Sequence, residues 1–147
     1  MTLTNHLLTG SLLAKLLPLP IALPLAFLSH FVLDSLPHFG LKNEAERKRL
    51  LWLDYLVVSL DFLTALVVSA WLLRNNHATW LLAGLLAFSP DLMWIYRFIV
   101  QEKFGQRAPS IGGKFVKFHA GIQKYERNYG WVIEIVVALG LFTLVSK

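Results

Sequence analysis

Four long apolar blocks dominate this sequence and limit what it can fold into. They cover residues 3–36, 50–73, 78–100 and 129–145. Each of the last three is close to the roughly 20 residues that an α-helix needs to cross a bilayer. A hydrophobic content of 56% and a mean hydropathy of +0.56 leave too little polar surface for a soluble globule. The pattern predicts a single integral membrane domain over residues 1–147, an all-α bundle of about four transmembrane helices.

The first block is too long for one straight span, and prolines interrupt it. Pro18, Pro20 and Pro24 remove backbone donors within seven residues, so we expect a break there. Two arrangements follow: one long kinked span, or a re-entrant hairpin of two shorter helices. Re-entrant backbone is tolerated only where protein or a wet cavity covers it. His6 distinguishes the two, because only the hairpin brings it back to the side of the membrane where His38 lies.

The basic residues predict the orientation of the bundle. Segments 40–49 and 101–128 hold most of the lysines and arginines, whereas the turn at 74–77 has a single arginine. The positive-inside rule therefore places the two basic loops in the cytoplasm, as in a multi-pass protein of a bacterial or archaeal cytoplasmic membrane. We interpret the net charge of +5 as attraction to anionic lipid, not nucleic acid, because no nucleic-acid-binding motif accompanies it. Residues 115–125 (FVKFHAGIQKY) predict a short interfacial helix.

Ionisable side chains occur inside these blocks, where each costs about 2.5–3.5 kcal/mol on insertion scales. At about 1.5 Å per residue, all of them lie within about 16 Å of the cytoplasmic end of their helix. They are His30, Asp34, Asp54, Asp61, Asp91 and Glu134. Carboxylates at one depth repel each other unless cations or protons compensate them. Because the lysines and arginines lie mostly in loops, a bound metal ion is the simplest neutraliser.

The densest group of potential ligands is the segment SHFVLDSLPHFG. His30, Asp34 and His38 follow at i, i+4 and i+8, which places them on one face if the helix continues to Pro37. Imidazole and carboxylate suit zinc or another divalent metal, and the chain has no cysteine to supply thiolates. The alternative is a polar stripe that caps the helix end. The full set of predicted metal ligands is His6, His30, Asp34, His38, Asp91 and His119.

Two further carboxylates are candidate catalytic groups. Glu134 is a ligand, a general base acting on metal-bound water, or a partner of Arg127. Asp61 is a second catalytic candidate, with pairing to a Ser or Thr of a neighbouring helix as the alternative. Three basic residues are candidates for contacting a substrate headgroup, although they could serve only topology. They are Lys103, Arg107 and Lys114.

Three short motifs resemble those of the small membrane-bound metal-dependent hydrolases, the LexA-binding inner-membrane hydrolase group. They are the His-x-x-x-Gly segment His6–Gly10, the Ser-His-x-x-x-Asp segment Ser29–Asp34 and the Pro-Asp element Pro90–Asp91. In this chain Met93 and Trp94 follow the Pro-Asp element, where the family has Asp-His. The His-x-x-x-Asp spacing is also similar to that of zinc-dependent phospholipases C. The resemblance implies a hydrolase with metal ligands in these motifs.

Together these patterns predict a membrane-embedded metal-dependent hydrolase. It would hold one or two divalent ions, preferably zinc, and act near the cytoplasmic interface on a lipid-like substrate such as a phosphoester. Membrane lipid is the expected partner. The alternatives are a non-enzymatic membrane protein that handles metal or protons, a membrane scaffold, and a haem-binding bundle that uses His30 and His38.

Overall fold

The computed structural model describes residues 1–40, 44–93 and 110–147, and most of these residues are helical. The helices within them are α1 Leu3–Leu16, α2 Leu19–Asp34, α3 Glu44–Arg74, α4 Ala78–Phe88, α5 Ser110–Ile122 and α6 Gly130–Ser146. Two-residue strands, β1 His38–Phe39 and β2 Glu126–Arg127, pair in parallel with His38 opposite Glu126. The all-α prediction is confirmed.

The first apolar block folds as two helices. Leu17 is extended (φ −129°, ψ 151°) and ends α1, because the residue before a proline is disfavoured in helical conformation. Pro18 then caps the start of α2. The two helices are antiparallel, since His6 near the start of α1 meets Asp34 at the end of α2. Of the two arrangements that the sequence allowed, the chain adopts the hairpin.

Helix α1 is the buried centre of the molecule and packs against α2, α3, α4 and α6. Its contact with α4 is very close. A Cβ atom at Gly10 would lie 2.4 Å from the Ala83 carbonyl oxygen, and one at Gly84 would lie 2.5 Å from the Leu7 carbonyl oxygen. Glycine at both positions lets the two backbones touch, as small residues do between membrane helices.

Helix α3 is the longest element. Its backbone is non-helical at Leu50 (φ −113°, ψ 19°), which sets off the segment Arg49–Arg74. Within the described ranges this is the one helix long and apolar enough to cross a membrane, with a mean hydropathy of 2.2. Helices α2 and α6 are apolar but shorter. Helix α4 passes into a 3₁₀ turn at Ser89–Asp91, so the predicted third block is not one continuous α-helix. The described helices therefore do not support the prediction of about four full-length transmembrane helices.

Polar groups lie inside the bundle and large apolar side chains lie outside it. Val67 of α3 is 68% exposed and Val136 of α6 is 65% exposed, whereas His6, His30 and Asp34 have no exposed surface. Soluble monomers rarely expose contiguous apolar surface on this scale. The buried polar groups gather at the end of the bundle where α1 and α6 begin and where α2 and α4 end.

Candidate metal centre

Four side chains from three parts of the chain converge at this end of the bundle. His30 and Asp34 come from the last turns of α2, Asp91 from the 3₁₀ turn after α4, and His119 from α5. One potential ligand atom from each lies within 4.8 Å of all the others. His30, Asp34 and His119 are fully buried. The sequence predicted all four as metal ligands, and the fold brings them together.

The distances between these atoms are those of a coordination shell. His30 Nε2 lies 2.8 Å from His119 Nε2, and the two nitrogens lie 3.3 and 2.8 Å from Asp34 Oδ2. Asp91 Oδ1 is 3.7 Å from His30 Nε2 and 3.8 Å from His119 Nε2. Ligands around a tetrahedral zinc ion, with bonds of about 2.0–2.1 Å, are separated by roughly 3.3 Å. The observed separations bracket that value.

The orientation of His30 supports a ligand role. Its Nδ1 lies 2.9 Å from the Ala87 carbonyl oxygen, which can only accept, so Nδ1 donates. Nε2 then directs its lone pair at the carboxylates in the neutral imidazole. A carbonyl on the second nitrogen is the usual orienting partner of a metal-bound histidine. Acceptor atoms that face each other at these distances need a cation between them, either a proton or a metal ion.

Aromatic packing between α5 and α2 holds His119 at the site. The ring of Phe31 in α2 makes edge contacts with Phe115, Phe118 and His119 of α5. Gln123, one helical turn after His119, donates from Nε2 to Asp34 Oδ2 at 3.0 Å. Gln123 was not among the residues predicted from the sequence, although its i+4 spacing from His119 places the two on one helix face.

His6 lies on the other side of the two carboxylates. Its Nε2 is 3.1 Å from Asp34 Oδ1 and 4.0 Å from Asp91 Oδ2. Its ring stacks on that of His30 with a centroid separation of 4.2 Å. The amino group of Met1 also forms an ion pair with Asp34 Oδ1. The hairpin therefore brings His6 to the cluster, as its sequence position predicted for that arrangement.

His38 does not join this group. Helix α2 ends at Asp34, and Pro37 prevents the helical continuation that an i, i+4, i+8 face requires. His38 lies instead in β1, where Nδ1 donates to the Leu36 carbonyl oxygen at 2.7 Å and Nε2 is 3.9 Å from Glu126 Oε1. Burial lowers the pKa of the His38 imidazole below its usual value. The structure thus places His38 outside the group of four residues that could hold a metal ion.

The two predicted catalytic carboxylates bind the first turn of α1. Asp61 accepts hydrogen bonds from the amides of Leu3 at 2.8 Å and Thr4 at 3.0 Å. Glu134 accepts one from the amide of Thr2 at 2.8 Å. These amides have no partner within the helix, so both carboxylates act as caps supplied by other helices. Neither belongs to the four-residue ligand group.

Of the three predicted headgroup contacts and the remaining histidine, the structure describes Lys114 and His77. Lys114 is exposed on α5, and Lys103 and Arg107 fall outside the residues that the structure describes. His77 stacks on Trp80 at 3.8 Å near the start of α4, at the opposite end of that helix from Asp91.

Two adjoining cavities lie beside the start of α1. The more polar one, of about 430 Å³, is lined by Asp54, Asp61, Glu126 and Glu134 together with Met1 and apolar neighbours. The other, of about 500 Å³, runs between α3 and α6. Its walls are mostly apolar: Leu53, Leu56, Val57, Leu60, Trp131, Ile135 and Ala138. Asp61 and Glu134 line both cavities, so the apolar cavity adjoins the polar one.

Comparison with known proteins gives no relative from which a function could be transferred. No protein-family model matches the chain. No curated protein and no solved structure matches it either. The interpretation of the site therefore rests on its own geometry and chemistry.

Proposed function

We propose that this protein is a membrane-embedded metal-dependent hydrolase of the kind that its three motifs resemble. Its metal centre is formed by His30, Asp34, Asp91 and His119, with a divalent ion, preferably zinc. It acts near the cytoplasmic interface of a multi-pass protein in a bacterial or archaeal cytoplasmic membrane. The substrate is lipid-like, an ester or phosphoester.

One observation carries this proposal: four acceptor atoms converge in a cluster of three fully buried side chains and the partly buried Asp91, and one of the imidazoles is already oriented. The Ala87 carbonyl fixes the ring of His30 through Nδ1, as the outer partners of metal-bound histidines do. A mixed imidazole and carboxylate set suits a divalent ion of intermediate hardness such as zinc. When bound, such an ion lowers the pKa of a coordinated water and polarises a carbonyl or phosphoryl oxygen.

The exposed apolar faces of α3 and α6 support embedding in lipid, because they would be costly in water. The cavity between these helices supports an amphiphilic substrate. Its leucine-rich walls suit an acyl chain, and its Asp61 and Glu134 end opens toward the polar cavity. Lys114 on the exposed face of α5 is placed to attract an anionic headgroup.

Metal analysis of the purified chain tests the centre. We expect at least one divalent ion per chain after dialysis against trace zinc, and loss of that ion in His30→Ala and Asp34→Ala. His77→Ala is the matched control, since His77 lies at the far end of α4, and it should keep the metal. Fewer than one ion per two chains in the unmodified protein would contradict the proposal.

The hydrolytic activity needs its own test. Mixed micelles of phospholipid or lipid ester are incubated with the zinc-loaded protein, and release of the headgroup or fatty acid is measured. Turnover should disappear with a chelator, return with zinc and be absent in Asp34→Asn. Full metal binding without turnover on either class would leave a metal-handling protein and overturn the hydrolase assignment.

A further inference from the structure

We infer that the cluster holds two divalent cations, with Asp34 and Asp91 bridging them and His6 binding the second. This inference rests on the proposed metal centre and adds a separate position to it. The evidence is how the four carboxylate oxygens divide between the histidines. Each of the two aspartates turns one oxygen toward His30 and His119 and the other toward His6.

The first side of the division is the four-residue group. For both His30 Nε2 and His119 Nε2, the close carboxylate oxygens are Asp34 Oδ2 and Asp91 Oδ1. The second side uses the opposite pair. His6 Nε2 lies 3.1 Å from Asp34 Oδ1 and 4.0 Å from Asp91 Oδ2. No oxygen among these contacts is shared between the two sides.

Ring stacking explains why His6 forms its own position. The His6 and His30 rings are nearly parallel, at 22° and 4.2 Å between centroids, and their Nε2 atoms contact different oxygens of Asp34. His6 is also absent from the group whose ligand atoms all lie within 4.8 Å. Two carboxylates that each present different oxygens to two neighbouring nitrogen sets have the geometry of bridges. Bridged ions in hydrolases lie about 3.5–4 Å apart.

Charge shows what a second ion would change. Two carboxylates and three neutral imidazoles carry a charge of −2, which one divalent ion neutralises once the Met1 amino group, here paired with Asp34 Oδ1, is displaced. A second ion makes the centre cationic and therefore complementary to an anionic group such as a phosphoester, whose attacking and leaving oxygens a pair of ions stabilises together. With three protein ligands, the second position also keeps room for a water molecule or substrate oxygen.

Manganese serves as the probe, because its spectrum reports ion pairs. The full chain in detergent is stripped with chelator, reloaded with Mn²⁺ and freed of excess, and the bound ions are counted by mass spectrometry. We expect two ions per chain and an exchange-coupled electron paramagnetic resonance signal. His6→Ala should retain one ion with the resolved lines of an isolated Mn²⁺, and His77→Ala should behave as the unmodified chain.

The outcomes separate this inference from the proposed function. One isolated ion per chain, unchanged in His6→Ala, would overturn the second position, with the Met1 amino group as the cation at Asp34 Oδ1, and would leave the first centre intact. Absence of any ion after loading with Mn²⁺ and, in a parallel sample, with Zn²⁺ would overturn both. If His6→Ala does not fold, His6→Gln keeps the side-chain volume, and the coupled signal of the unmodified chain decides the question without any variant.

Discussion

Helices α1 and α3 run side by side in the same direction, and they distribute polarity in opposite ways. Helix α1 has 14 residues and buries polar side chains: Thr4, Asn5, His6 and Ser11. The segment Arg49–Arg74 of α3 is strongly apolar, and only 17% of its most apolar window is buried. Leu7 and Leu8 of α1 and Leu72 of α3 belong to a small buried apolar core. The buried polar positions of α1 and the exposed apolar positions of α3 nevertheless depart from a water-soluble bundle, in which apolar side chains face inward and polar ones outward.

The difference arises from what surrounds each helix. The polar groups of α1 are bound by its neighbours: Asp61 of α3 and Glu134 of α6 accept its first amides, and Ser11 donates to the Trp80 carbonyl oxygen of α4 at 3.1 Å. Apart from Asp61 and Asp54, the segment Arg49–Arg74 of α3 has mostly apolar side chains between its ends, and its backbone hydrogen bonds are internal to the helix, so it needs few such partners. The polar side chains of α1 thus lie inside the bundle, several of them near the candidate site, whereas many apolar side chains of α3 form its outer surface.

The largest effect is expected where α1 has no room. Gly84→Ala places a Cβ 2.5 Å from the Leu7 carbonyl oxygen, and rotating a side chain cannot relieve a contact with backbone. We expect a loss of about 3 kcal/mol in the free energy of unfolding, the upper end of what overpacking costs. Thermal or denaturant unfolding in detergent measures it. Gly140→Ala is the control, since nothing lies within 4 Å of a Cβ there. Equal stability of the two variants would contradict the close contact.

The second prediction concerns the exposed face of α3. Leu63→Lys introduces a charge at a position that is 57% exposed near the middle of the apolar segment. In lipid this should cost about 2.5–3.5 kcal/mol of insertion free energy, whereas on a water-facing helix it should cost almost nothing. The fraction of protein that resists alkaline extraction from membranes reports the difference. Unchanged extraction and expression would remove the reason for placing α3 in lipid.

A smaller effect is expected from the cap of α1. Asp61→Asn keeps one carbonyl acceptor and loses the charge that favours a helix start, so we expect a loss of about 1 kcal/mol. Metal affinity should fall as well, because His6 follows directly on the capped turn. Asp54→Asn, on the same helix and beside the same cavity, should leave both the unfolding midpoint and the metal content unchanged. If the two variants are alike, Asp61 does not hold α1.

The smallest effect is expected from shortening an exposed side chain of α3. Leu63 is 57% exposed and Leu72 is fully buried, so the two leucines differ in surroundings but not in helix. Leu63→Ala should change stability by less than about 0.5 kcal/mol, whereas Leu72→Ala should cost about 2–5 kcal/mol. Unfolding in one detergent compares them directly. A large cost at Leu63 would show that this face packs against protein.

Local sequence rules predicted the parts of this molecule that depend on neighbouring residues. Prolines marked the break at Leu17, and the i, i+4 spacing of His30 and Asp34 held because both remain in α2. The same spacing failed for His38, since its rule assumed a helix beyond Asp34 that Pro37 ends. A proline follows in both places, but the prediction took its helix-ending effect into account only at Pro18 and not at Pro37.

Contacts across long sequence separations could not be predicted in this way. The caps that Asp61 and Glu134 give to α1 join residues 58 and 132 positions apart, and no local period encodes them. Sequence alone could identify both carboxylates as unusual in an apolar block, and it assigned them to catalysis because it could not see the amides that they bind. The convergence of Asp91 with α2 was inferred from depth, which is a global property of the blocks, and His119 was a candidate because it follows the aromatic residues of the predicted interfacial helix.

The hydrogen bonds of Glu134 and Gln123 also have a consequence in time. Both residues, like His119, belong to the last third of the chain, whereas the amide and the carboxylate that they bind lie within its first 34 residues. During synthesis, α1 and α2 leave the ribosome well before these partners exist. Within the early hairpin Asp34 can therefore pair only with His6 and the Met1 amino group, and the centre is complete only once His119 of α5 has been synthesised. Retention of the metal would then distinguish chains that contain α5 from shorter ones.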